Sequence, residues 1–80
     1  MPPADLLRLI RAQPFTPFRI YLSDGTVYQI NHPELAMVGI ASAIVAFPDE
    51  QRPELYSSWE IVDLRHIVRL ERVEAANRVG

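Results

Sequence analysis

There is no cysteine and no lysine in this 80-residue chain, and there are only three glycines. Without cysteine, disulfides and thiolate zinc sites are excluded. Without lysine, all eight cationic side chains are arginines; the net charge of −2 and pI of about 5.5 leave no global basic field to draw in nucleic acid. With glycine only at positions 25, 39 and 80 there is no glycine-rich phosphate loop. No apolar run approaches the ~18 residues of a membrane span. Met1-Pro2-Pro3-Ala4-Asp5 lacks the basic start of a secretory signal, so the cytoplasm is the expected location.

What is there is globular: 49% apolar and 22% charged residues, in a length that supports one core and one domain over 1–80. An enclosed catalytic pocket is not expected at this size. Charge is uneven. Residues 1–22 hold Arg8, Arg11 and Arg19 against Asp5, and residues 64–72 hold Arg65, Arg69 and Arg72 against Glu71. Between them, residues 49–63 hold Asp49, Glu50, Glu54, Glu60 and Asp63 against Arg52.

The pattern begins as a helix over 4–13. Leu6, Leu9 and Ile10 form the stripe, Asp5 suits the first turn, and Pro14 stops the helix. From Phe18 the period changes to two: Phe18, Ile20 and Leu22 alternate with Arg19, Tyr21 and Ser23. Asp24-Gly25 then marks a hairpin. A two-residue turn would set Val27 and Gln29 on the core face. A type I turn with Gly25 as a bulge sets Tyr28 and Ile30 there and is preferred, since it buries two large apolar side chains. His32-Pro33-Glu34 reads as a turn. The runs 35–40 and 43–47 contain so few polar residues that burial on both faces, or strong curvature around a core, is expected. A polar loop covers 48–58. Strands follow over 59–64 and 67–70, broken at Arg65-His66, and 73–80 reads as a frayed tail. The architecture expected is mainly β: a helix, then a strongly bent, nearly closed antiparallel barrel of five or six strands over 17–72, its open end plugged by the helix.

This order of elements resembles the Sm-like small barrel, and most nearly its Hfq-type members. Phe18-Arg19-Ile20-Tyr21-Leu22-Ser23-Asp24-Gly25 resembles their first strand and hairpin. Leu64-Arg65-His66-Ile67-Val68 is similar to their tyrosine-lysine-histidine signature, with Leu64 at the tyrosine position. The resemblance implies a self-associating ring joined through the late strands, with RNA held at Arg65 and His66. A closer pattern match is to short uncharacterised bacterial proteins with Pro-Phe-Arg-Ile-x-Leu-Ser-Asp-Gly followed by His-Pro-Glu; it covers residues 17–25 and 32–34 and implies a family without an activity.

Each candidate group has a sharp and a plain reading. Arg65 and His66 offer a guanidinium fork and an imidazole to phosphate and base, or are simply turn residues. Arg19 and Tyr21, outward on the first strand, make an aromatic-plus-arginine platform for RNA, or pack across strands against Thr26 or Tyr28. Trp59 is either a partner anchor or a cap on the barrel core. Asp63 alternates with Trp59 and Ile61, here read as core positions, so its charge needs Arg65 or water. His32 and His66 lack ligand spacing, so no metal is expected, and no cofactor or small-molecule substrate. No serine sits in a nucleophile–base motif. Ile61 or Val62 and Ile67 or Val68 cannot all face one core. The expected self-association surface is therefore Trp59, Ile61, Val62, Ile67, Val68 and Leu70. The expected function is a non-enzymatic Sm-like oligomer binding RNA; the alternative is an SH3-like protein-interaction or structural module with no nucleic-acid role.

Overall fold

The computed structural model describes residues 1–73. Helix α1 spans Pro3–Ile10 and is followed by six strands: β1 Phe18–Leu22, β2 Val27–Ile30, β3 Ala36–Val38, β4 Ser42–Pro48, β5 Tyr56–Asp63 and β6 Ile67–Arg72. Short 3-10 turns at Pro33–Leu35 and Leu64–His66 link β2 to β3 and β5 to β6. The expected tail falls almost wholly on residues 74–80, outside the described residues. Val73, its first residue, donates its N–H to the Pro17 carbonyl at 2.8 Å.

The strands do not form a barrel. They make two three-stranded antiparallel sheets, ordered β2-β1-β6 and β3-β4-β5, with no strand shared between them. The mainly β, helix-first reading holds, while the nearly closed barrel does not. The 3-10 turns at Pro33 and Leu64 interrupt the chain where a barrel strand would have to bend through both sheets, so each crossing is a break in pairing.

The first hairpin sets the register of its sheet. Leu22 N–H bonds the Thr26 carbonyl at 2.9 Å, Gly25 N–H bonds the Leu22 carbonyl at 3.0 Å, and Gly25 has φ +93°. This is the type I turn with a glycine bulge, and the Asp24 carboxylate accepts from Thr26 N–H at 2.9 Å across it. That hydrogen bond holds the Asp24 carboxyl below its ordinary range. The bulge pairs Phe18 with Ile30 and Ile20 with Tyr28, so the large apolar residues of both strands share one face. Val27 and Gln29 are turned to solvent.

Phe18, Ile20 and Ile30 meet Ala36, Ala43, Val45 and Val62 from the second sheet, and Leu6 of α1 closes the core with no exposed surface. Leu9 and Ile10 pack beside it. The helix therefore seals the core by the stripe read from the sequence, ending at Ile10 rather than residue 13. Leu64 and Ile67 complete the core, and the Met1 amino group donates to the Leu64 carbonyl at 3.2 Å. No polar side chain is buried among the described residues.

Parity then fixes what faces out. In β4, Ala43 and Val45 point inward, and their partners Val62 and Ala36 are buried with them. Ile44 must point outward with its partners Met37 and Ile61, as must Ala46 with Trp59. The expected burial of both faces of 35–40 and 43–47 is thus not met in this chain: Met37 is 66% exposed and Ile40 92%. One small core reaches only one side of each strand.

The turn yields a direct test. A Cβ on Gly25 meets nothing within 4 Å, so only its φ resists substitution. Gly25→Val should lower unfolding stability by on the order of 1–3 kcal/mol, with Gly25→Asn milder, measured by chemical denaturation. Equal stability of all three proteins would mean that the turn does not need the left-handed conformation.

Candidate functional site

The Asp63–His66 turn is built by its own side chain. Asp63 Oδ1 accepts from the Arg65 backbone N–H at 2.8 Å, and Asp63 Oδ2 holds Arg65 Nη2 at 2.8 Å. These bonds hold the Asp63 carboxyl down at about 2 and raise the Arg65 guanidinium. The pairing of Asp63 with Arg65 is as expected from the sequence, but it also occupies the guanidinium fork. His66 lies against the first hairpin: Ser23 N–H bonds the His66 carbonyl at 2.8 Å, and Ser23 Oγ is 3.5 Å from His66 Nδ1. Asp24 and Asp63 both stand close enough for the imidazole to influence their ionisation. A cleft of about 280 Å³ lies here, lined by Ser23, Asp24, Tyr28, Ile61, Asp63 and His66 among others. Arg65 and His66 are both exposed, yet the surroundings of the turn are acidic.

Arg19 and Tyr21 face outward on β1, as expected, but their neighbours differ from the expected Thr26 and Tyr28. Arg19 reaches Gln29 Oε1 at 3.2 Å and Glu71 Oε1 at 3.3 Å. Tyr21 OH donates to Glu71 Oε1 at 2.5 Å, and the Arg69 guanidinium lies 4.1 Å from the Tyr21 ring centroid. The bulge register turns Tyr28 to the inner side instead, where it stacks beside Phe47 at 5.9 Å and its OH donates to Glu60. That bond, with burial, pushes the Tyr28 hydroxyl up to about 12. The Tyr21 hydroxyl and its two arginine neighbours keep Glu71 ionised below the ordinary range. The ring that would stack on a base is thus already covered by Arg69, and one carboxylate serves two guanidiniums.

The expected association residues separate by parity. Trp59, Ile61 and Val68 are 62, 70 and 62% exposed, and Leu70 is half-buried. Val62 and Ile67 are core residues, 6 and 4% exposed, and leave the surface. Trp59 does not cap the core, and Ile61 is not a core position: both lie on the sheet's outer side.

There the sheet β3-β4-β5 carries a continuous apolar face. A row of bulky side chains, Met37–Ile44–Ile61, crosses its three strands. Beside it is a groove of about 230 Å³ around Ala46, walled by Met37, Ile44, Tyr56 and Trp59 and rimmed by Glu34. Met37, Ile44 and Ala46 were not legible as surface residues, because their runs contain no polar residue to mark the outward parity. Only the pairing sets it, since Ala43 opposes the buried Val62 and Val45 the buried Ala36. Among the described residues no cluster of histidine and carboxylate side chains has the arrangement of a metal site.

Comparison with family models, with curated proteins and with solved structures found no match.

The turn carries its own prediction. Asp63 has a folded-state pKa below the ordinary 3.8, so its contribution to stability is present above that value and is lost as the pH falls through about 2. In Arg65→Ala the Asp63 midpoint, followed by carboxyl NMR, should rise while staying below ordinary, because the backbone N–H bond remains. An unchanged midpoint would mean that the side-chain pair contributes nothing.

Proposed function

We propose that this chain is a non-enzymatic protein-interaction module whose binding surface is the outer face of β3-β4-β5. One observation carries the reading: Met37, Trp59 and Ile61 stand on one side of one sheet, 66, 62 and 70% exposed. Contiguous apolar patches larger than a few hundred Å² are rare on monomeric proteins and go with binding surfaces. Tryptophan is also a frequent anchor at such surfaces. An SH3- or Sm-like ancestry of the fold accords with the helix-first, antiparallel strand order and belongs to the same proposal.

The Sm-like reading, a ring holding RNA at Arg65 and His66, is the second reading. It is favoured by the exposure of both side chains in one turn. Asp63 on Arg65, Asp24 near His66, and Glu71 on both Arg19 and Arg69 weigh against it, since phosphate would have to displace or outbid a carboxylate at each place.

Two measurements on one protein separate the readings. Random peptides displayed against the immobilised wild type should yield apolar, aromatic-containing binders that are lost with Trp59→Ser. Fluorescence anisotropy with uridine- and adenine-rich RNA should show no binding at low salt. RNA binding that disappears in Arg65→Ala with His66→Ala, with a salt slope near −0.7 per phosphate contacted, together with no selected peptide, would replace the first reading by the second.

A further inference from the structure

We infer that the partner of the outer β3-β4-β5 face is a second copy of the same chain, packed face to face across a two-fold axis. The inference rests on the reading of that face as a protein-binding surface and adds its occupant. It differs from an edge-joined ring, in which β5 and β6 would supply the contact and the face would stay open.

Area is the first support. Met37, Tyr56, Trp59 and Ile61 are 66, 42, 62 and 70% exposed. Taking ~150–250 Å² for each large apolar side chain, their uncovered parts amount to roughly 500 Å². Ile44 and Ala46 between them extend the apolar surface. A stable interface takes about 800 Å² from each partner, and a face of this extent supplies most of it.

Charge is the second. Along the outward side of the three strands, Met37, Ile44, Ala46, Tyr56, Trp59 and Ile61 carry no charge. The one ionised outward side chain, Asp63, lies at the end of β5 and is already paired with Arg65 at 2.8 Å. Glu60, in the middle of β5, is opposite Val45 and points to the inner side, where Tyr28 holds it. Glu34 stands exposed at the rim of the groove, so two copies can meet over an uncharged centre with that carboxylate left in solvent.

Shape is the third. A two-fold interface must be complementary to itself, so it needs a projection and a recess on the same surface. The row Met37–Ile44–Ile61 is the projection. The groove floored by Ala46 is the recess, two residues further along β4, a strand distance of roughly 7 Å. Each copy's row can lie in the other's groove, with Trp59 of each covering the seam. The outcome is two sheets stacked as in a β-sandwich, about 10 Å apart.

Sedimentation equilibrium of the wild type, Met37→Glu and Ile61→Glu tests this, with circular dichroism melting to confirm that each variant folds. Both substituted positions are exposed, so each variant should keep its melting profile at low concentration. The wild type should sediment with the mass of a dimer at high micromolar concentration, and its single tryptophan should emit further to the red on dilution. Met37→Glu should weaken the dimer by at least about tenfold. Met37 is the deciding position, because it lies on β3, two strands away from the free edge of β5. Three results would overturn the inference: a monomeric wild type, an assembly of higher order, or a dimer that Met37→Glu leaves intact. A monomeric wild type that still selects Trp59-dependent peptides would remove the second copy and keep the protein-binding face; a monomer that selects none would remove both.

Discussion

Among the described residues, one core of eleven has to serve two sheets and a helix. Phe18, Ile20 and Ile30 on one side, with Ala43, Val45 and Val62 on the other, fill the centre of the inward faces of the strands. Everything else follows from that limit. The outward positions of β1 and β6 carry Arg19, Tyr21, Arg69 and Glu71, which satisfy one another in water. The outward positions of β3, β4 and β5 carry methionine, isoleucine, alanine and tryptophan, which cannot. The two sheets have the same strand number and the same inward chemistry but opposite outward chemistry. The asymmetry puts the binding reading on one sheet and not the other.

The Asp24-Gly25 turn is where local geometry reaches this core. Its left-handed glycine adds one residue to the hairpin and so decides which of Val27 and Tyr28 faces inward. Tyr28 inward can stack on Phe47 and reach Glu60, joining the two sheets through β2 and β5 as well as through the core. The same turn also braces the Leu64–His66 segment through the Ser23 N–H. A polar cleft lined by Asp24, Asp63 and His66 is a by-product of that bracing.

Much of this was legible in the residues themselves. The helical stripe, the period-two strands, the bulged hairpin and the Asp63–Arg65 pair all rest on short-range chemistry, and each is present. The missed features are long-range. The interruptions at His32-Pro33-Glu34 and Arg65-His66 are legible and fall at the two 3-10 turns, but whether the sheets close across them depends on strand pairing between distant segments, which neither break reveals. Parity in 36–47 was hidden for a different reason: an uninterrupted apolar run looks alike whether one side or both are covered. Trp59 and Ile61 were read both as core positions and as association residues, because alternation along β5 leaves open which side faces in; they are exposed. The buried Val62 and Ile67 then entered the association surface with them, while Met37 and Ile44 stayed out of it.

Two of the four sheet edges, β6 and β5, are guarded unequally. Along β6, Arg69, Glu71 and Arg72 follow one another closely, so an incoming strand meets charge at three of six positions. Along β5, between Tyr56 and Val62, Glu60 is the one charged residue, and no proline, lysine or glycine interrupts the strand. Proteins blunt exposed edges with such interruptions, because an unpaired run of backbone donors and acceptors is a template for any extended chain. Of these two edges, β5 is thus the more open to an incoming strand. Glu60, by holding a carboxylate in the middle of Ser57-Ser58-Trp59-Glu60-Ile61-Val62, is the gatekeeper that keeps that segment soluble while the chain folds.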